Sequence, residues 1–447
     1  MSSFLKRRRW PEVGASPTII WGGIGLCGVL AIAQAITDAK FVYLGVFFAP
    51  LFLYLSVIKP FIFPLGAFFF LIPFDQLLSI GNVEGGMTIT RVLAIVAIPM
   101  LFVKGSFENR LQSPEVMVFW WVTLVLYGAI SALWAIQPET AVERMPTAGG
   151  LILLYLMVAS YRIRRDEIDT LKWCILAGGI LASVLTVYNL ASLDSATRAT
   201  VEIGDRSALL NQLAFDLLLP VSICIGMMIS GKRAMKKIMF GLILSLILFA
   251  IVITGSRGAL VGLGAMAIVY VLSTRQKLSV GAALLVIGIA VATFTPAFVL
   301  ERVDESVSTG GAGRTTIWVN GLKALSHYWL TGAGLNNFPE AYREFGFFTP
   351  LSNGISRASH NIYLGVFVEL GIIGLLLLIL GIRAHYKTIG SRRGDPNSIG
   401  VMLKAALWAM IVSSFFLDTL WYKSFWMLWM MIVMNSSVSR RGVNRIV

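Results

Sequence analysis

The stretch that decides the fold is "HNIYLGVFVELGIIGLLLLILGI", residues 360–382. Beyond its first two residues it is apolar apart from Glu369. At about 1.5 Å of rise per helical residue it is long enough to cross roughly 30 Å of hydrocarbon. The strands of a membrane β-barrel would alternate apolar and polar residues, and this run does not. It reads as a membrane helix with a histidine and an asparagine at its mouth.

The same pattern recurs along the chain. Apolar blocks fall near 16–37, 41–58, 60–74, 87–104, 116–136, 147–161 and 171–192, then 208–230, 236–254, 258–273, 279–299, 360–382, 400–417 and 421–436. Composition agrees: 57% of the 447 residues are hydrophobic and 13% charged, against roughly 25% charged in soluble domains. The expected fold is all-α, a polytopic integral membrane protein of 12, up to 14, transmembrane helices with a helical periplasmic loop. The block at 60–74 contains three prolines and reads as re-entrant or broken. The basic start "MSSFLKRRRWPEV" runs into block 16–37 without a small-residue cleavage site, so that block reads as a first anchor. Cys27, Cys174 and Cys224 all sit in apolar segments and read as small buried hydrophobes.

Charge orients the blocks. With a cytoplasmic N-terminus, Lys6 to Arg9, "YRIRRDE", "GKRAMKK", "STRQK", "RAHYKTIGSRRGD" and "SRRGVNR" all face inward, giving 25 Lys plus Arg inside and 12 outside. That satisfies the positive-inside rule. The net charge of +14 then reflects topology and attraction to anionic membrane lipids, and calls for no nucleic acid. Of the 12 outer cations nine are arginine: Arg91, Arg144, Arg198, Arg206, Arg257, Arg302, Arg314, Arg343 and Arg357. Arginine is favoured where a planar fork grips phosphate or carboxylate in a partly dry site. The alternative is pairing with Glu301, Asp304, Glu305, Glu340 and Glu344 in the same outer region.

Three parts follow: a membrane bundle over 1–299, a helical loop on the outer face over 300–359, and C-terminal membrane helices over 360–447. In the loop, "TTIWVNGLKALSHYWL" has helical apolar spacing, and "FPEAYREFGFF" suggests a second short helix. "STGGAGR" and "TGAGLNNF" read as Gly-rich connectors. Sixty residues suit a lid better than an enzyme domain of its own.

His360 is the histidine in a setting suited to chemistry; His327 lies in the loop and His385 among cytoplasmic cations. A neutral imidazole near neutral pH can take a proton from a hydroxyl, and Asn361 could orient it or hold the acceptor. The other reading is an interfacial side chain. If the helix includes His360, then Gly371 and Gly374 share its stripe and admit a neighbouring helix; Glu369 falls on the opposite face. "TGSRGAL" puts Arg257 in a Gly-flanked turn suited to cradling an anion, or to ending a helix with a snorkelling arginine. Arg206, in "EIGDRSALLNQLAF", precedes another helix, with Asp205 as the alternative partner. Arg314 and Arg357 are weaker versions of the same anion site.

The outer face has no DxD, HExxH or paired-carboxylate pattern, which argues against metal-dependent or two-carboxylate chemistry. There is no Walker motif, so no nucleotide drives the protein. Asp75, Asp216, Glu369 and Asp418 are too sparse for a proton-coupled transporter's relay.

Three stretches together carry a resemblance: "HNIYLGVFVELGIIG", "TGSRGAL" and "AGRTTIWVNGLKALSHYWLTGAGLNNF". The chain resembles the bacterial O-antigen ligase family, within the O-antigen ligase/polymerase group, over roughly residues 200–385. The resemblance implies a multi-pass protein of the bacterial inner membrane, its active site facing the periplasm. Such a glycosyltransferase moves a glycan from undecaprenyl pyrophosphate to lipid A-core without cofactor, metal or nucleotide. It further implies His360 as the base and Arg257 as a ligand of the pyrophosphate, with Arg206, or else Arg198 or Arg144, as a second. The readings that compete are an O-antigen polymerase, a pilin-type protein glycosyltransferase, and, from another class, a lipid-linked glycan flippase.

Overall fold

The computed structural model describes residues 52, 54–56, 58–80, 87–192, 200–203, 206–231, 233–273, 277–293, 314–346, 357–389 and 399–443. They are mostly helical. The first half contains α1 (Leu65–Leu71), α2 (Ile89–Phe107), α3 (Met117–Ile130), α4 (Pro138–Ala159), α5 (Arg165–Ser192), α6 (Leu210–Asp216) and α7 (Leu218–Ser230). Then come α8 (Ala234–Ile253), α9 (Arg257–Ser273), α10 (Lys277–Thr293), α11 (Arg314–Tyr328), α12 (Phe338–Gly346), α13 (Ile362–Thr388), α14 (Ile399–Ser413) and α15 (Lys423–Val443). Two antiparallel pairs interrupt them: β1 (Ser79–Ile80) with β2 (Met87–Thr88), and β3 (Glu202–Ile203) with β4 (Arg206–Ser207).

Among the described residues, six helical segments are long and apolar enough to cross a membrane: Ile89–Phe107, Pro138–Ala159, Arg165–Leu190, Leu210–Ser230, Ala234–Ile253 and Ile362–Thr388. Leu65–Phe74, Met117–Leu133, Arg257–Ser273 and Ile399–Ser413 are apolar but shorter. This is a multi-pass membrane protein. Block 16–37 lies outside the described residues, as does most of block 41–58. The proline-rich block 60–74 opens in turns and becomes helical only at Leu65.

Helix ends follow local chemistry. Thr88 caps α2 by accepting from the Arg91 N–H, and Pro138 opens α4 where no N–H is needed. Small residues set the packing of α9 on α14. A Cβ on Gly262 would overlap Ser413 and the Ala409 carbonyl, and the Ser413 hydroxyl donates to Gly258 O at 2.8 Å.

α13 departs from the continuous helix expected of its sequence. It begins after His360, with Asn361 as its cap, so His360 shares no helical stripe with Gly371 or Gly374. It is also broken at Gly371 (φ 64°, ψ −167°), a conformation open to glycine and strained for other residues. The neighbour that needs the missing Cβ is the carbonyl of Leu330, so Gly371 admits loop backbone and not another helix.

Into that break docks the segment 329–338, of which 331–338 reads above as a Gly-rich connector. Ile372 N–H donates to Trp329 O (2.8 Å), Ala333 N–H to Val368 O (2.8 Å) and Gly334 N–H to Glu369 O (2.9 Å). The Glu369 carboxylate accepts from the N–H groups of Asn336 (2.9 Å) and Phe338 (3.4 Å). On its other side the segment is stitched to the α3–α4 turn: Leu335 N–H to Ser131 Oγ, Ile136 N–H to Ala333 O, and Gln137 N–H to Asn337 Oδ1. Gly332 (φ +84°) and Gly334 (φ +100°) leave no room for a Cβ against Glu369 and Ala135. The clasp fixes α11 and α12 over the start of α13, where Ile317, Ala324, Phe338, Leu364 and Val368 form a small separate core.

His385 also differs from its expected surroundings. It is fully buried, its Nε2 2.5 Å from Tyr155 OH, with Trp121 and Trp429 against the ring. Nδ1 faces Gly381 O at 2.8 Å. A carbonyl only accepts, so Nδ1 carries the proton and Nε2 accepts from the tyrosine. This is a packed core histidine.

Candidate active site

One end of the bundle gathers the polar loops. Gln76 Nε2 donates to Gln212 Oε1 (2.7 Å) and the Leu209 N–H to Gln76 Oε1 (2.8 Å), tying the β1–β2 hairpin to the turn before α6. Asp75 pairs with Lys423, whose ammonium also donates to Thr90 Oγ1 (2.6 Å); the next residue, Ser424, donates to Asp216 (2.5 Å). Arg144 Nη2 donates to Asn336 Oδ1 at 2.9 Å, linking α4 to the clasp.

His360 lies in this end, half-buried and with φ +48°, left-handed backbone that a non-glycine residue rarely adopts. The residues around it hold it there. Ser359 Oγ accepts from Asn361 N–H (3.3 Å) and is itself a donor within 3.0 Å of Asn361 O and 3.4 Å of Asp418 Oδ2. Ser359 O accepts from Trp318 Nε1 of α11 (3.2 Å), and Ile362 N–H donates to Ser414 O (3.0 Å). Asn361 Oδ1 is committed to the cap, accepting from Tyr363 N–H (3.0 Å) and Leu364 N–H (3.1 Å). Asn361 thereby shapes the backbone that carries His360.

Two guanidinium groups act on that histidine, and a third lies near one of them. Arg257 opens α9 behind Gly255 (φ +65°), and Arg314 opens α11. Arg314 is near enough to Arg257 for their charges to repel, and Arg314 and Arg357 both act on His360. Burial, then repulsion from Arg257, lowers the Arg314 pKa below its ordinary value. Burial first, then Arg314 and Arg357, lowers that of His360, so the ring is neutral at neutral pH. Some arginines elsewhere are matched: Arg110 pairs with Glu167, and Arg343 with Glu340. Arg257, Arg314 and Arg357 form no ion pair with any carboxylate among the described residues. Of the acids proposed as their partners, Glu344 instead accepts the Tyr328 hydroxyl (2.7 Å), and Glu301, Asp304 and Glu305 lie outside the described residues. The Ser256 hydroxyl, beside Arg257, is buried without a hydrogen-bond partner among the described residues. Three unmatched cations, an orphaned hydroxyl and a neutral imidazole make a site suited to an anion beside a proton acceptor.

Arg206 begins β4 opposite Ile203, at the same end of the bundle. Asp205, its alternative partner, lies outside the described residues, as do Arg198 and Arg302. Two carboxylates behind the site were not legible in the sequence as a pair. Asp418 and Glu369 act on one another electrostatically, and Arg144 acts on both. Burial pushes the Asp418 carboxyl above its usual range, opposed by Arg144 and the Ser359 hydroxyl. Among the described residues no group of three or more His, Cys, Asp or Glu side chains could hold a metal ion.

Residues 217–379 match the family model described as O-antigen ligase. The match runs from the start of α7 past the break in α13 and includes Arg257, Arg314 and His360; Arg144 and Arg206 precede it and Asp418 follows it. The resemblance carried by the three motifs therefore stands. No curated protein matches the chain.

Proposed function

We propose that the protein is an O-antigen ligase of the bacterial inner membrane. On the periplasmic face it transfers a glycan from undecaprenyl pyrophosphate to a hydroxyl of lipid A-core. The single observation that supports this reading most is Arg314 and Arg357 beside a neutral His360, with Arg257 near Arg314, all three unmatched by described carboxylates.

In the reaction, the diphosphate of the donor sits among the guanidinium groups, with the Ser256 hydroxyl as a further donor. The acceptor hydroxyl faces His360, which takes its proton. The oxygen's electron pair forms the new bond to the anomeric carbon, on the side away from the diphosphate. The anomeric carbon–oxygen bond breaks, its electrons leave with undecaprenyl pyrophosphate, and the configuration inverts. Arginines offset the charge that develops on the leaving group without requiring a metal ion. Lowering the histidine's pKa keeps the base unprotonated while arginines surround it. Asn361 acts through the backbone, as a positioning residue. Arg206, in β4, is a further pyrophosphate ligand in this reading.

The test is transfer by purified full-length protein, with undecaprenyl-pyrophosphate glycan as donor and lipid A-core as acceptor, in the presence of a chelator. Capped lipid A-core is the expected product. Extension of one lipid-linked glycan by another in its place would make the protein an O-antigen polymerase. Capping of a pilin peptide would make it a protein glycosyltransferase, and movement of donor across the bilayer without transfer a flippase.

A further inference from the structure

The two helices that cover the site present different outward faces. α12 turns Arg343 and Glu344 outward, a water-facing surface. α11 instead exposes Val319 and Leu322, and the residues after it expose Trp329 and Leu330; Leu322 is 59% and Trp329 53% exposed. Lys323 and His327 flank this face. An apolar stripe with a tryptophan at its end and a lysine and a histidine at its border suits the boundary between lipid headgroups and acyl chains.

Depth argues the same way. The N–H of Ile372 donates to Trp329 O at 2.8 Å, and Ile372 lies about 15 Å along α13 from Ile362 at 1.5 Å per residue. From Ile372 onward, α13 exposes Ile373, Leu376 and Ile379, the outward side chains of a helix in lipid, whereas before Gly371 it is nearly all buried in protein. Trp329 therefore stands level with the start of the lipid-facing surface. Next to this face, Thr331 O accepts from Tyr127 OH of α3, and beyond α3 Leu133 and Trp134 are exposed.

We propose that the outer face of α11, with Trp329 and Leu330, is immersed in the bilayer leaflet next to the site, its occupant being membrane lipid. The cover over His360 is then a membrane-embedded element, not a domain standing in water. The site beneath it opens at headgroup depth, where the polar part of a lipid-linked substrate travels.

The test uses full-length protein in lipid nanodiscs, with Cys27, Cys174 and Cys224 replaced by alanine and one nitroxide attached at Leu322→Cys, Arg343→Cys or Leu376→Cys. Collision with oxygen, which concentrates in lipid, is compared with collision with a water-soluble nickel chelate. The label at 322 should follow the one at 376, with an oxygen-to-nickel ratio several-fold above that at 343. A ratio at 322 equal to that at 343 would mean the face is in water and overturn the proposal. Spin–spin broadening at 322 would mean a second copy covers it, with the same consequence. The readout needs no turnover, so it succeeds or fails apart from the ligase assignment.

Discussion

The Ser359 hydroxyl stands 3.4 Å from a carboxylate oxygen of Asp418, one residue before His360 and across a loop-to-loop contact between α13 and α15. That contact and the Trp318 bond to Ser359 O hold the left-handed turn from two sides. Asp418→Ala should leave His360 in place but loosely held. A buried hydrogen bond of about 1–1.5 kcal/mol corresponds to roughly a 10-fold loss of turnover. Asp418→Asn, which keeps the contact, should recover most of the rate. Equal losses in the two variants would mean that the charge matters and the contact does not.

Chemistry at His360 is tested directly. His360→Ala should cost on the order of 10²–10⁴ in turnover, the usual contribution of a general base. Donor binding should change little. Arg257→Ala should weaken both donor binding and turnover, and Arg257→Lys should restore only part, because an ammonium cannot fork onto a diphosphate. Direct binding of the lipid-linked donor, measured beside single-turnover transfer, separates the two. Wild-type transfer by either alanine variant refutes the assigned roles.

The pH profile follows from the charges around His360. Its base form is required, so activity should fall as pH drops through the histidine pKa. Burial, Arg314 and Arg357 set that pKa below the ordinary 6.5, so the acid limb lies below 6.5. Arg357→Ala removes a positive charge, which favours the protonated ring, raises the pKa and shifts the limb to higher pH. The check is the pH dependence of kcat/KM in the two proteins; an unmoved or lowered limb contradicts the arrangement.

The clasp makes a prediction about stability. Gly371→Ala must put a Cβ against the Leu330 carbonyl on left-handed backbone, strain of about 1–3 kcal/mol or more. It should lower the thermal midpoint and expose 329–338 to limited proteolysis. Gly264→Ala is the control: in the middle of α9 with nothing within 4 Å of its Cβ, it should be neutral or stabilising by up to about 1 kcal/mol.

Hydrophobic run length made the membrane bundle legible, because lipid leaves the backbone few other choices. The helices α11 and α12 were equally readable from their spacing. His360 and Arg257 stood out because polar residues at the mouths of apolar helices are conspicuous, whereas Arg314 read only as a weaker version of the same anion site. The break at Gly371 was not readable, because "ELGIIGLLLL" has the same periodicity whether or not a loop inserts. "TGAGLNNF" looked pliant for its glycines, although Gly332 and Gly334 are needed for close contact. The Asp418–Ser359 contact joins residues 59 positions apart, and local pattern contains nothing about such distant pairs. His385 was misjudged because cationic neighbours along the chain, such as Arg383 and Lys387, said nothing about the tryptophans that enclose it in space.

Because segment 329–338 is sewn by backbone bonds to both the α3–α4 turn and the cleft in α13, the cover over the pocket is pinned along one edge. Any swing that admits a bulky saccharide has to pivot about that seam. Arg314, at the start of α11, lies at the end of that helix away from the seam. A guest arriving there would meet cations before it reached the imidazole.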